Sequence, residues 1–69
     1  MNYSMFYSQN FRKPIRVKLS NGKEFIGMLD GHILGEDNEP YGESIIIETN
    51  TGVLIELYIN EIANITIDG

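Results

Sequence analysis

A chain of 69 residues has room for one domain and buries a smaller share of its surface than a longer one, so its stability has to come from close packing or self-association. The absence of cysteine excludes disulfides and thiolate zinc sites, and the absence of a basic start leading into an apolar run, or of ~20 consecutive apolar residues, argues against a signal peptide or membrane span; the expectation is a cytoplasmic protein of cellular or viral origin. The net charge of -5 is unevenly divided, because the five basic residues Arg12, Lys13, Arg16, Lys18 and Lys23 all precede the ten acidic ones, and such a basic strip holds phosphates only where the fold keeps it apart from the carboxylates.

In chain order, Tyr3, Phe6, Tyr7 and Phe11 recur at spacings of three and four, which predicts a short helix within residues 1–13 carrying an aromatic stripe. A run this short, rich in Ser, Asn and Tyr, is marginal alone, so the stripe has to pack on the rest of the chain. Pro14 disfavours helical geometry at Lys13 and opens the strand region, residues 14–69. Ile15, Val17 and Leu19 alternate with Arg16 and Lys18, the pattern of a half-buried strand. Asn21-Gly22 tolerates the positive φ angles of a tight hairpin and sends the chain back into a second strand, Lys23 to Leu34, with Gly27 and Gly31 as natural points of bending. Gly35 to Gly42 (GEDNEPYG) reads as an exposed loop. A third strand follows from Ser44 to Thr49, then a turn at Asn50-Thr51-Gly52, a fourth strand from Val53 to Ile59, a single turn over Asn60 to Ala63, and a short fifth strand marked by Ile65 and Ile67.

One helix followed by five short strands predicts an all-β single domain over residues 1–69: a five-stranded, strongly bent antiparallel barrel with a short N-terminal α-helix. The apolar residues exceed what one barrel interior holds. Phe25 and Leu29 face one way and Ile26 and Met28 the other; Leu54 and Tyr58 lie opposite Val53, Ile55 and Leu57. The surplus is expected either beneath the aromatic helix or between subunits, since exposed apolar patches and open strand edges promote association.

Val17 to His32 resembles the first motif of the Sm-like (LSm) family and its bacterial host-factor branch: Val17-x-Leu19-x-Asn21-Gly22, four residues, then Gly27-x-Leu29-x-x-His32. With the helix before it and the strands after it, the resemblance extends over nearly the whole chain. It implies an Sm-like, SH3-type barrel that forms a homo-oligomeric ring by pairing the fourth strand of one subunit, Val53 to Ile59, with the fifth of the next, Ile65 to Ile67. It also implies single-stranded RNA, or a ribonucleoprotein partner, on the ring face. The chain departs from the family pattern at Ile33, where the family has an aspartate, at the acidic GEDNEPYG loop, and at Asn60-Glu61, where the family has Arg-Gly or Lys-His. These are the family's RNA-pocket positions, so what the resemblance carries over is the framework more than the reading of bases. The chain is also similar to the C-terminal domain of the bacterial ribosome-maturation factor, in its turn glycine, its Gly-x-Leu strand and Glu61-Ile62-Ala63.

Nothing in the sequence assembles a catalytic constellation. His32 is the single histidine, with no partner in triad or metal spacing, and the Gly-Lys-Ser/Thr ending of a phosphate loop is missing, so no enzymatic activity, cofactor or metal is expected. His32 has two readings, stacking on a base beside the pore or packing at a strand end. Glu36, Asp37, Asn38, Glu39 and Glu43 lack the spacing of a calcium loop and read as an exposed acidic loop that keeps the domain soluble. The aromatic stripe reads as core, which leaves Arg12, Lys13, Arg16 and Lys18 as phosphate contacts and His32 as the candidate base contact. The rival reading is a protein-interaction or structural module on the same barrel that has lost nucleic-acid binding, favoured by Ile33, Asn60, Glu61 and the net acidity.

Overall fold

The structure of the chain, a computed structural model, describes residues 1–68. It opens with helix α1 (Tyr3–Asn10), capped by Asn2, whose side-chain oxygen accepts from the Met5 backbone N–H at 3.1 Å. The helix stops short of the expected residue 13. Arg12 turns to φ 63°, and its N–H donates to the Leu29 carbonyl at 2.8 Å instead of continuing the helical ladder. That bond ties the helix exit to the middle of the sheet.

Five strands follow: β1 (Pro14–Leu19), β2 (Glu24–Ile33), β3 (Ser44–Glu48), β4 (Leu54–Tyr58) and β5 (Ile62–Ile67). The Asn21-Gly22 turn forms as its chemistry predicts, with Gly22 at φ 90° and the Asn21 side chain accepting from Lys23 N–H at 3.0 Å. Short 3-10 turns occupy Gly35–Asp37 and Ile59–Glu61; the second overlaps the turn expected over Asn60 to Ala63 but starts one residue earlier, and β5 begins already at Ile62.

The strands form one antiparallel sheet in the order β4-β3-β2-β1-β5. The sheet is not closed into a barrel: β4 and β5 are its two edges. It is nevertheless bent. Four inter-strand steps of ~4.8 Å would put the edge strands of a flat sheet about 19 Å apart, whereas the link from Tyr58 to Ile62 reaches about 14 Å at full extension. The link is shorter still because it is a 3-10 turn, and it is pinned at both ends: Ile59 N–H donates to Glu43 O at 2.9 Å, and Ser20 N–H donates to Glu61 O at 2.8 Å. Register shifts between Leu29 and Gly31 and between Lys18 and Leu19 supply corners. At Gly27 a Cβ would lie 2.6 Å from the Glu48 carbonyl oxygen, so the approach of β3 requires glycine there.

The concave face holds the core. Ile15, Val17, Leu19, Leu29, Ile45, Ile47 and Leu57 are buried, and Tyr3, Phe6 and Tyr7 pack onto them from the helix. Fully burying side chains of this size contributes about 1.5–3 kcal/mol each, and it lets a helix of eight residues persist that would be marginal alone. The helix therefore covers the concave side only. Ile26, Met28 and Leu54, pointing the other way, remain 49%, 41% and 60% exposed. Among the described residues, no helix is long and apolar enough to cross a membrane.

Candidate functional site

The strand pairings define the composition of the convex face. In one row, Pro14 of β1, Met28 of β2, Glu48 of β3 and Leu54 of β4 are successive cross-strand partners; in another, Thr66 of β5, Arg16 of β1 and Ile26 of β2 are. A shallow groove of about 630 Å³ runs over this face, lined by Arg12, Pro14, Ile26, Met28, Glu48 and Asn50 among others.

The two arginines of the expected phosphate-binding strip are engaged within the chain. Arg12 Nη1 donates to Asp30 Oδ1 and to Glu48 Oε1, both at 2.8 Å; the hydrogen bond to Glu48, then that to Asp30, hold its guanidinium further above its ordinary pKa. Arg16 lies 3.3 Å from Glu24 and 3.6 Å from Asp68. Each arginine thus serves two carboxylates. Lys13 and Lys18 are exposed and make no ion pair among the described residues. Arg16 and Lys18 share the outward side of β1, two residues and ~7 Å apart, whereas Arg12 reaches to β2 and β3.

His32 is placed on the concave side, opposite Ile45. Its side chain is 7% exposed, its ring packs against Tyr7 of the helix at 6.0 Å between centroids, and its Nε2 is 2.6 Å from Glu43 Oε2. Tyr3 completes the cluster, its hydroxyl pKa pushed up by burial and then by the Glu43 charge. Asn60 and Glu61 are exposed and line a separate depression of about 220 Å³ with Leu19, Ser20 and Asn21. His32 does not reach it.

Sequence reasoning did not find the carboxylate partners of the arginines. For Arg16 a signal exists, because a tight turn at Asn21-Gly22 brings the start of β2, with Glu24, back beside β1. For Arg12 there is none, since its partners lie 18 and 36 residues away and meet it only through the β2–β3 register.

The acidic loop is also tied down. Asn38 donates to Gly42 O and Glu56 Oε2, and the buried Ser44 hydroxyl donates to the same Glu56 oxygen at 2.7 Å. Among the described residues, no group of three or more His, Asp or Glu side chains is arranged to hold a metal ion.

Set against models of known protein families, curated proteins and solved structures, the chain matches none.

Proposed function

We propose that this chain is a non-catalytic, Sm-like assembly module. Its subunits join edge to edge, β4 of one against β5 of the next, completing the bent barrel as a homo-oligomeric ring that presents its faces to a protein partner. The observation that carries this reading is the strand order, which leaves β4 and β5 each paired on one side only. An edge strand exposes a row of unpaired N–H and C=O groups, and pairing antiparallel edges of neighbouring copies satisfies both rows at once. Leu54 on β4 and Ile67 on β5, 60% and 42% exposed, supply apolar contact along these edges. Light scattering is expected to give a mass several times that of one chain, and Leu54→Lys with Ile67→Lys to lower it towards the monomer. A wild-type monomer at micromolar concentration would overturn the reading.

A protein partner is favoured over RNA because Arg12 and Arg16 are already committed to four carboxylates. The RNA reading keeps one observation in its favour, Lys13 and Lys18, which are exposed and make no ion pair among the described residues. Were these to hold phosphates in every subunit, log K would fall against log salt by about 0.7 per phosphate engaged on a single strand. Filter binding of mixed-sequence RNA at low salt separates the two readings: affinity lost on Lys13→Ala with Lys18→Ala supports RNA, and no affinity in the wild type supports the protein-interaction reading.

A further inference from the structure

We propose that the first half of β2 is a lane for strand addition, in which an extended segment of a protein partner pairs main chain to main chain with Glu24 and Ile26. This deepens the interaction-module reading and rests on it, but it uses neither of the edges assigned to ring formation. β2 changes partners at Met28: Glu24 to Met28 pair with β1, and Met28 to Ile33 pair with β3. Beside the first half, the side away from β1 is left open, because β3 ends at Glu48, opposite Met28, and the chain turns off through Asn50-Thr51-Gly52. The ladder tells which groups this exposes. Leu19 N–H bonds Lys23 O at 2.8 Å and Leu29 N–H bonds Lys13 O at 3.0 Å, so between them the odd-numbered residues of β2 bond β1 and the even-numbered ones point N–H and C=O the other way. Met28 points its pair at Glu48 of β3, whereas the main-chain groups of Glu24 and Ile26 have no hydrogen-bond partner among the described residues. The groove of about 630 Å³ lies here, lined by Ile26, Gly27 and Met28 from β2 and by Asn50 and Gly52 from the turn.

The unpaired groups select the occupant. They recur at every second residue, about 6.8 Å apart along one line, and an extended polypeptide presents complementary donors and acceptors at that spacing. A helix spends its main-chain groups internally, and a nucleic-acid strand has no such alternation. The segment takes the lane that β3 leaves and, like β3, runs antiparallel to β2. Its residue opposite Ile26 turns a side chain to the convex face, beside an isoleucine that is 49% exposed, and a β-branched residue fits there. Charge makes no selection at this end. Glu24 stands opposite Lys18 and 3.3 Å from Arg16, which also serves Asp68, so two cations meet two carboxylates and the segment is expected to be neutral.

The probe is a blocked, uncharged peptide of serine, threonine, valine, threonine, valine, threonine and serine, titrated into the full chain while backbone amides are followed by NMR. The expected result is saturable binding below about 1 mM. At saturation, amide exchange at Glu24 and Ile26 is expected to slow by at least about tenfold, while Phe25, whose N–H already points to β1, changes little. The same peptide N-methylated at its three central residues is expected to bind at least about tenfold more weakly, because its donors to the lane are gone. Ile26→Pro removes the donor on the other side. Ile26 gives no hydrogen bond to β1, so the variant keeps that ladder, and the peptide is expected to lose affinity by a similar factor. A dichroism spectrum checks its fold, and if it does not fold the N-methylated peptide decides. Equal binding of the N-methylated peptide, unchanged exchange at Ile26, or no saturation overturns the proposal. Protection of the Ile26 amide that grows with protein concentration in the peptide-free chain would mean that a second copy fills the lane, which also overturns it. Light scattering on the same samples tests ring assembly separately: a ring that ignores the peptide sinks this inference alone, and a monomer that binds it sinks the ring alone.

Discussion

The two faces of β2 carry apolar residues of similar size but stand in opposite relations to the rest of the chain. Phe25 and Leu29 point into the concavity and belong to the core on which the aromatic helix also packs, while Ile26 and Met28 point outward into a setting of shared carboxylates. Apolarity alone therefore says nothing about which side is core. What decides it is the other elements: Tyr3, Phe6 and Tyr7 of the helix pack on the concave core, whereas on the convex side the cross-strand neighbours of Ile26 and Met28 are Arg16, Pro14 and Glu48.

The sharpest test of that contrast compares neighbours. Leu29→Ala removes a fully buried side chain and leaves a cavity in a small core, for an expected loss of about 2–5 kcal/mol, whereas Met28→Ala next to it is expected to stay within about 0.5 kcal/mol. Urea unfolding of the two variants reads the difference directly. Comparable losses would mean that the convex face is structurally buried in the functional state. Next in size is Gly27→Ala. Its new Cβ would lie 2.6 Å from a backbone oxygen of Glu48, which cannot swing aside as a side chain could, so β2 and β3 must separate. An overpacking cost of about 1–3 kcal/mol is expected in the same assay.

Much of this layout is legible in the sequence, and the reason is locality. The helix, the Asn21-Gly22 hairpin and the turn before β5 each follow from residues within a few positions of one another. The helix end is less legible, because Arg12 leaves the ladder to bond Leu29, a partner that only the folded sheet provides. The same holds for the candidate site. The surplus apolar pair Ile26 and Met28 is readable from alternation, but the commitment of Arg12 depends on Asp30 and Glu48 arriving from two different strands. For that reason the two arginines of the basic strip ended in ion-pair clusters while Lys13 and Lys18 stayed exposed.

The concave side has a polar weak point where the convex side does not. His32 sits beneath the helix, and its short contact with Glu43 is the hydrogen bond that satisfies its Nε2. Glu43→Ala leaves that ring nitrogen buried without a partner, with an expected loss of about 1–3 kcal/mol. The effect should concentrate in α1, because Tyr7 packs on the His32 ring. Amide hydrogen exchange over Tyr3–Asn10 should accelerate more than exchange in β1. Uniform acceleration would mean that the pair supports the sheet as a whole instead of the docking of the helix.

The smallest expected effect is the alkaline response of the same side. Burial first, and the negative charge of Glu43 second, raise the Tyr3 hydroxyl above its ordinary 10.0. In the unfolded chain the hydroxyl ionises at the ordinary value, so the unfolded state gives up its proton first as pH rises. The contribution of Tyr3 to stability is therefore complete below about pH 10 and is lost as pH climbs through the raised folded value. Tyr58 is raised as well, but it stands at the exposed end of β4 beside Tyr41, where solvent screens the effect. Unfolding midpoints followed upward from pH 9 should thus fall more steeply in the wild type than in Tyr3→Phe, while Tyr58→Phe should track the wild type closely. Parallel curves for the wild type and Tyr3→Phe would mean that the helix has already left the sheet before Tyr3 titrates, and would place the first alkaline event at α1 itself.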